Sequence, residues 1–169
     1  EVRGKVEFDR VWFGYNEDDK LIAGLGYSLK TYGFRKDPYA TFQSLTGLYS
    51  FAAHKYQVNY NGEFNHVINK YDIVAKASMF HSVLNNFFGI GNDTKIDKTK
   101  GVHFYKVRYN YFSGDLLLRK RFHRIAELNF GASYFHYWNN HFDNTGKILS
   151  QPSLAGLDSA DVYSDKTYF

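Results

Sequence analysis

Between residues 56 and 66, Tyr56, Val58, Tyr60 and Phe64 fall on one side of an extended chain, and Gln57, Asn59, Asn61, Glu63 and Asn65 fall on the other. A repeat of two is the alternation of a β-strand and fits no helical face. The same rule recurs along the chain. Leu21, Ala23, Leu25, Tyr27 and Leu29 oppose Gly24, Gly26, Ser28 and Lys30, while Tyr71, Ile73, Ala75, Ala77 and Met79 oppose Asp72, Lys76 and Ser78. Tyr105, Val107, Tyr109 and Tyr111 oppose Lys106, Arg108 and Asn110, and Ala126, Leu128, Phe130, Ala132 and Tyr134 oppose Glu127, Asn129, Gly131 and Ser133. Less regular strands are predicted over 5–14 and 41–53, and an eighth over 162–169.

Short connections at 16–20, at 35–39 around Pro38, at His54 with Lys55 and at Asn69 with Lys70 carry turn chemistry and imply antiparallel neighbours. The polar stretches 85–101 and 139–161 are expected to be exposed, mobile loops. The run 102–120 reads as one long strand bulged at Gly114 and turning over 120–123. The 169 residues contain no linker-like segment, which predicts one architectural unit over 1–169.

The alternating stretches run about 9 to 13 residues, the length a tilted strand needs to cross a hydrocarbon layer, whereas soluble strands peak near 5 or 6. Aromatics make up 20% of the chain and gather at strand ends, as in Tyr32, Phe34, Tyr39 and Phe42, and again in Phe135, Tyr137 and Trp138. Such rings favour the boundary between hydrocarbon and water. No apolar run is long enough for a spanning helix. Mean hydropathy of −0.47 does not argue against a membrane strand, because only alternate residues face lipid. The expected fold is therefore all-β: an antiparallel transmembrane β-barrel of about eight strands. The alternative is a soluble, lipocalin-like ligand-binding barrel in which the same apolar face turns inward.

The phrase Asn86, Phe87, Phe88, Gly89, Ile90, Gly91, Asn92, Asp93, Thr94 resembles one in the barrel domain of the outer-membrane assembly-factor superfamily, the bacterial surface antigens. Tyr32-Gly33-Phe34-Arg35-Lys36, Pro38-Tyr39 and Tyr60-Asn61-Gly62-Glu63-Phe64 look like earlier strands of the branch in which such a barrel follows a calcineurin-like metallophosphoesterase domain. The resemblance spans roughly residues 20–135 and implies an outer-membrane location in a gram-negative bacterium. Barrels of that family have sixteen strands, so about eight here would be half of one. It also implies a membrane anchor or gate beside a fused or neighbouring periplasmic domain, a role in protein or lipid assembly or translocation, and lipopolysaccharide as a neighbour. The periplasmic transport repeats of the family have no counterpart in this chain.

No catalytic centre is legible. The Asp, His and Gly-Asn-His-Glu-type loops that place two metals in a metallophosphoesterase are missing, as is a Gly-x-Ser-x-Gly elbow, so any phosphoesterase activity is expected outside this chain. Gly89-Ile90-Gly91 lacks the third glycine and the helix of a dinucleotide site and reads as a turn. His136, His141 and Asp143 are the nearest approach to a metal cluster, and solvated histidines are expected instead. Asn92, Asp93 and Asp97 lack the ordered spacing of a calcium loop. No cofactor is expected. A net charge of +4, scattered among acids, does not predict nucleic-acid binding. The one concentrated basic patch, Arg119, Lys120, Arg121 and Arg124 with His123, reads as a solvated turn or as a contact for anionic lipid headgroups.

Overall fold

The computed structural model describes residues 3–34, 36–90, 96–122 and 125–169. Eight strands follow one another: β1 Arg3–Asn16, β2 Lys20–Gly33, β3 Lys36–Ser50, β4 Lys55–Ile68, β5 Tyr71–Asn86, β6 Lys106–Phe122, β7 Ala126–Trp138 and β8 Lys166–Tyr168. They form one sheet in sequence order, antiparallel from β1 through β5, and among the described residues the sheet stays open, in place of the closed barrel expected from the sequence. Side-chain contacts between Arg119 and Asp72, and between Ser133 and Asp115, show the same alternation of direction across β5, β6 and β7. β1 to β7 range from 13 residues in β7 to 17 in β6.

The register sorts side chains into two kinds of row. Val11, Leu25, Gly47, Val58 and Met79 lie opposite one another across β1 to β5, and Tyr27, Leu45, Tyr60 and Ala77 make a second row on that face. One step along, Gly26, Thr46, Asn59 and Ser78 make a row on the other face. In β2 the apolar members Leu21, Leu25 and Tyr27 are exposed, and Gly24, Gly26 and Ser28 are buried. The usual sense of burial is inverted, with small and polar side chains inside.

Contacts divide the chain into two compact units. The first comprises Glu1–Phe80, Phe112–Phe135 and Phe169, and is the bulk of the sheet. The second comprises His81–Tyr111 and His136–Tyr168. It has an ordinary hydrophobic core of Tyr105, Val107, Ile148, Leu149, Ala155 and Val162, with Phe87, Phe104, Leu157 and Tyr163 packed on it.

That second core corrects the expectation of a bare loop over 139–161, whose Ile148, Leu149 and Ala155 are buried, whereas the described residues of 85–101 are mostly exposed, as expected. The stretch after β7 winds through 3₁₀ turns at Phe142–Asn144, Ile148–Ser150 and Pro152–Ala155 and a short helix, α2, at Ser159–Val162. Enough apolar side chains lie in it to bury a cluster, although they follow no strand period. The predicted eighth strand shrinks to Lys166–Tyr168, as α2 takes Val162 and a bend follows at 163–164. Before β6, α1 at Gly101–Tyr105 replaces the expected start of the strand, and Tyr105 enters the core instead of extending the outward row. β6 itself runs unbroken through Gly114. Pro38, expected in a turn, lies inside β3, where the pairing with β2 shifts between Thr31 and Gly33; proline needs no ladder partner at such an irregularity.

Gly131 lets β6 and β7 approach closely, since a Cβ there would lie 2.0 Å from the Leu116 carbonyl oxygen and 2.7 Å from Leu117 Cα. Gly47, by contrast, has nothing within 4 Å of that position. Gly131→Ala is expected to cost about 1–3 kcal/mol and Gly47→Ala to stay within a few tenths, as read from denaturant unfolding. Equal midpoints for the two variants would contradict the close β6 and β7 packing.

Candidate functional site

The site is the pair of opposite surfaces of the first unit. Its outward surface carries Val11, Phe13, Tyr15, Leu21, Leu25, Val58, Leu116, Leu128 and Phe130, all exposed. Within β2 the contrast between faces is quantitative, Leu25 being 50% and Tyr27 40% exposed against 3% for Ser28, whereas β7 is exposed on both faces over 126–134.

Inside, a carboxylate on β5 organises the polar groups. Asp72 Oδ1 accepts the backbone N–H of His66 at 2.9 Å, and its Oδ2 accepts from Arg119 Nε at 3.3 Å and lies 2.8 Å from Arg121 Nη2. Arg119 Nη2 reaches across to Glu63 Oε2 on β4 at 2.7 Å. The Tyr39 hydroxyl donates to the same Glu63 oxygen at 3.1 Å. Asn65 closes the circuit, donating to the Tyr39 carbonyl at 2.8 Å and accepting from both arginines. The backbone at His66 is left-handed, φ 52°, beside a register shift between Phe64 and Ile68. Asp72 thus secures a β-bulge as well as two cations. Two positive and two negative side chains cancel, and each has a charged partner, the condition under which buried ions are tolerated.

A second ion pair, Lys55 with Asp19, joins the turn before β2 to the start of β4, and the Ser50 hydroxyl donates to the Asp19 carbonyl at 2.6 Å. It ties two neighbouring connections together without apolar packing.

The basic patch is split by the strand alternation. Arg119 and Arg121 point into the polar cluster, while Lys120 points the other way, its Nζ 5.2 Å from the Tyr71 ring centroid and 5.2 Å from that of Phe122. Arg124 lies outside the described residues. Of the turn phrase, Asn86 ends β5, Phe87 donates its N–H to the Tyr105 carbonyl at 2.8 Å, and Phe88 packs on the Tyr105 ring at 5.2 Å. Gly89 has φ 117°, a conformation that favours glycine, and Ile90 N–H bonds the Ala155 carbonyl at 3.2 Å. These residues build the second unit. Gly91, Asn92 and Asp93 lie outside the described residues.

His136 bonds the Thr167 hydroxyl, His141 stacks on Tyr163, and Asp143 accepts from Asn140. Among the described residues no three His, Cys, Asp or Glu side chains are placed to hold a metal ion. Asp97 caps the 3₁₀ turn Lys98–Lys100 by accepting from the Thr99 hydroxyl and N–H, and these bonds hold its carboxyl below the usual range.

Sequence reasoning singled out the cations of the cluster and missed the acids. A signal existed: Glu63 and Asp72 occupy the polar face of adjacent strands, and Arg119 and Arg121 share one face of β6. Only the register shows that they meet.

Asp72→Ala is expected to destabilise the protein by about 1–3 kcal/mol, because it removes one partner of each arginine and leaves the hydrogen bond of the His66 amide unmade, and Asp72→Asn by less. Equilibrium unfolding of the two variants checks this. At Asp97 the lowered pKa makes the cap a contribution that is complete above the ordinary carboxylate pKa and lost as pH falls through the folded value. The protection of the Thr99 amide, its exchange rate relative to the intrinsic rate at each pH, should fall in acid, and Asp97→Asn should weaken that dependence.

Compared with known proteins, the chain matches no family model, no curated protein and no solved structure.

Proposed function

We propose that this chain is the membrane-embedded sheet of an outer-membrane β-barrel, its open sheet forming half of a larger barrel, and that it serves as an anchor or gate for a neighbouring periplasmic domain. The observation that carries this reading is the inverted burial: aromatic and aliphatic rows outward, a charged and hydrogen-bonded network inward. In water, an exposed surface of Val11, Phe13, Leu25 and Phe130 works against solubility; in hydrocarbon it is the stable arrangement. A soluble lipocalin-like barrel requires the reverse, with the apolar rows lining a cavity and the polar rows in solvent.

Strand direction supports the same reading. β1 and β7, the outer strands of the first unit, stand at odd places in an alternating order and run the same way, so an antiparallel closure between them requires a further strand of opposite sense. Lipid tolerates no unpaired strand edge, which makes such closure a condition of membrane residence. Connections also differ in length. The two long ones follow β5 and β7, strands of one direction, as outer loops would, while those after β1, β2, β3, β4 and β6 are short. Lys120, with its stem along Tyr71 and Phe122, suits the headgroup boundary, where an anionic lipid or lipopolysaccharide phosphate is its natural partner. Assistance to protein or lipid assembly or translocation follows only from the resemblance to the surface-antigen barrels.

Two measurements test the proposal. In mild detergent, unheated protein should migrate differently from boiled protein on electrophoresis. In vesicles, a cysteine at Val58 should react with a lipid-confined reagent and one at Asn59 should not. Heat-insensitive mobility, together with a monodisperse folded particle in plain buffer, would remove the membrane reading.

A further inference from the structure

The second unit contains a cleft of about 390 Å³ whose composition is independent of whether the outward surface of the first unit meets lipid. Val107, Leu149 and Val162, all buried, form its apolar floor. Phe87, Tyr109 and Tyr137 wall it, with the two tyrosine rings 5.3 Å apart. At the mouth stand one cation and one anion, Lys166 from β8 and Asp161 from α2, separated by 3.5 Å. Lys166 is 39% and Asp161 74% exposed in their side chains, so this pair is loose and its partners can be exchanged at little cost. The amides of Asn85 and Asn86 line the same cleft.

We infer that this cleft binds a small zwitterion with a large apolar side chain, an α-amino acid of the phenylalanine or leucine kind. A ring or branched chain satisfies the floor and walls by burial, the main source of affinity in a cleft of this composition. The mouth selects the head. A ligand carrying one charge would meet an attractive and a repulsive partner together, whereas an adjacent ammonium and carboxylate meet Asp161 and Lys166 respectively, replacing one weak ion pair by two charge-assisted contacts.

The test is a titration of the full folded chain with L-phenylalanine, followed by calorimetry or ligand-observed NMR. Saturable binding is expected, about tenfold tighter than that of phenylalaninamide or N-acetylphenylalanine, each of which lacks one charge. Glycine, without the side chain, should not bind measurably. Lys166→Glu should weaken L-phenylalanine binding about tenfold, and the charge-swapped pair Lys166→Asp with Asp161→Lys should restore it. Circular dichroism establishes that the variants are folded. Absence of saturable binding by both L-phenylalanine and L-leucine overturns the inference. So does equal affinity for the amide or the acetylated form, or failure of a folded charge-swapped protein to recover binding.

Discussion

The first unit depends on one carboxylate. Asp72 sits on the buried face of β5, where a lone charge would be expelled, and it is retained because two arginines from β6 and a backbone amide from β4 converge on it. Glu63 and Asn65 then extend the circuit to the next strand, and Tyr39 carries it to β3. Strands that in a soluble sheet would be held against each other by a shared apolar core are here clamped through polar side chains. The apolar residues are thereby free to occupy the other face, and their exposure follows from how the inner face is satisfied.

Much of the sheet was legible in the sequence because alternation is a property of the backbone that tertiary context rarely overrides once one face is committed. The segments around Leu25, Tyr60 and Ile73 all became strands with the expected division of faces. Where legibility failed, the competing signal was short-range or long-range in a way that period does not encode. Tyr105 sits in an alternating run, yet Gly101 and the apolar cluster beyond β7 draw it into a helix and a core. Ile148, Leu149 and Val162 are scattered among polar residues, and their joint burial depends on turns that no periodicity announces. The polar cluster was half legible: the basic run stood out as a concentration of charge, but its division between two faces follows from strand parity, and its acids are isolated in sequence.

The two units also illustrate how one chain can apply opposite rules of burial. In the second unit a cluster of Tyr, Val, Ile, Leu and Ala is buried alongside Ser82, Asn110 and Asn144, the last held by bonds to both backbone groups of Arg108. In the first, the most deeply buried side chain is that of Asn65. A mean hydropathy of −0.47 averages over both regimes and describes neither. What distinguishes them is whether the solvent against the apolar groups is the protein itself or something outside it.

Inverted burial makes register unusually consequential. A slip of one residue would turn every aromatic of a strand toward Asp72 and every amide of it outward, so the sheet needs fixed points that a uniform ladder lacks. Two non-glycine residues with left-handed backbone supply them. In the first unit His66 gives its amide to Asp72, and in the second Ser82 gives its amide to Asn110, at 2.8 Å. Each interrupts the regular strand where a specific side chain replaces the missing carbonyl, and neither replacement survives a shift of the strand. The strain of a left-handed His or Ser is thus balanced by a bond that exists in one register alone. The polar interior therefore does more than tolerate burial: it selects the single alignment that sends the apolar rows to the outside.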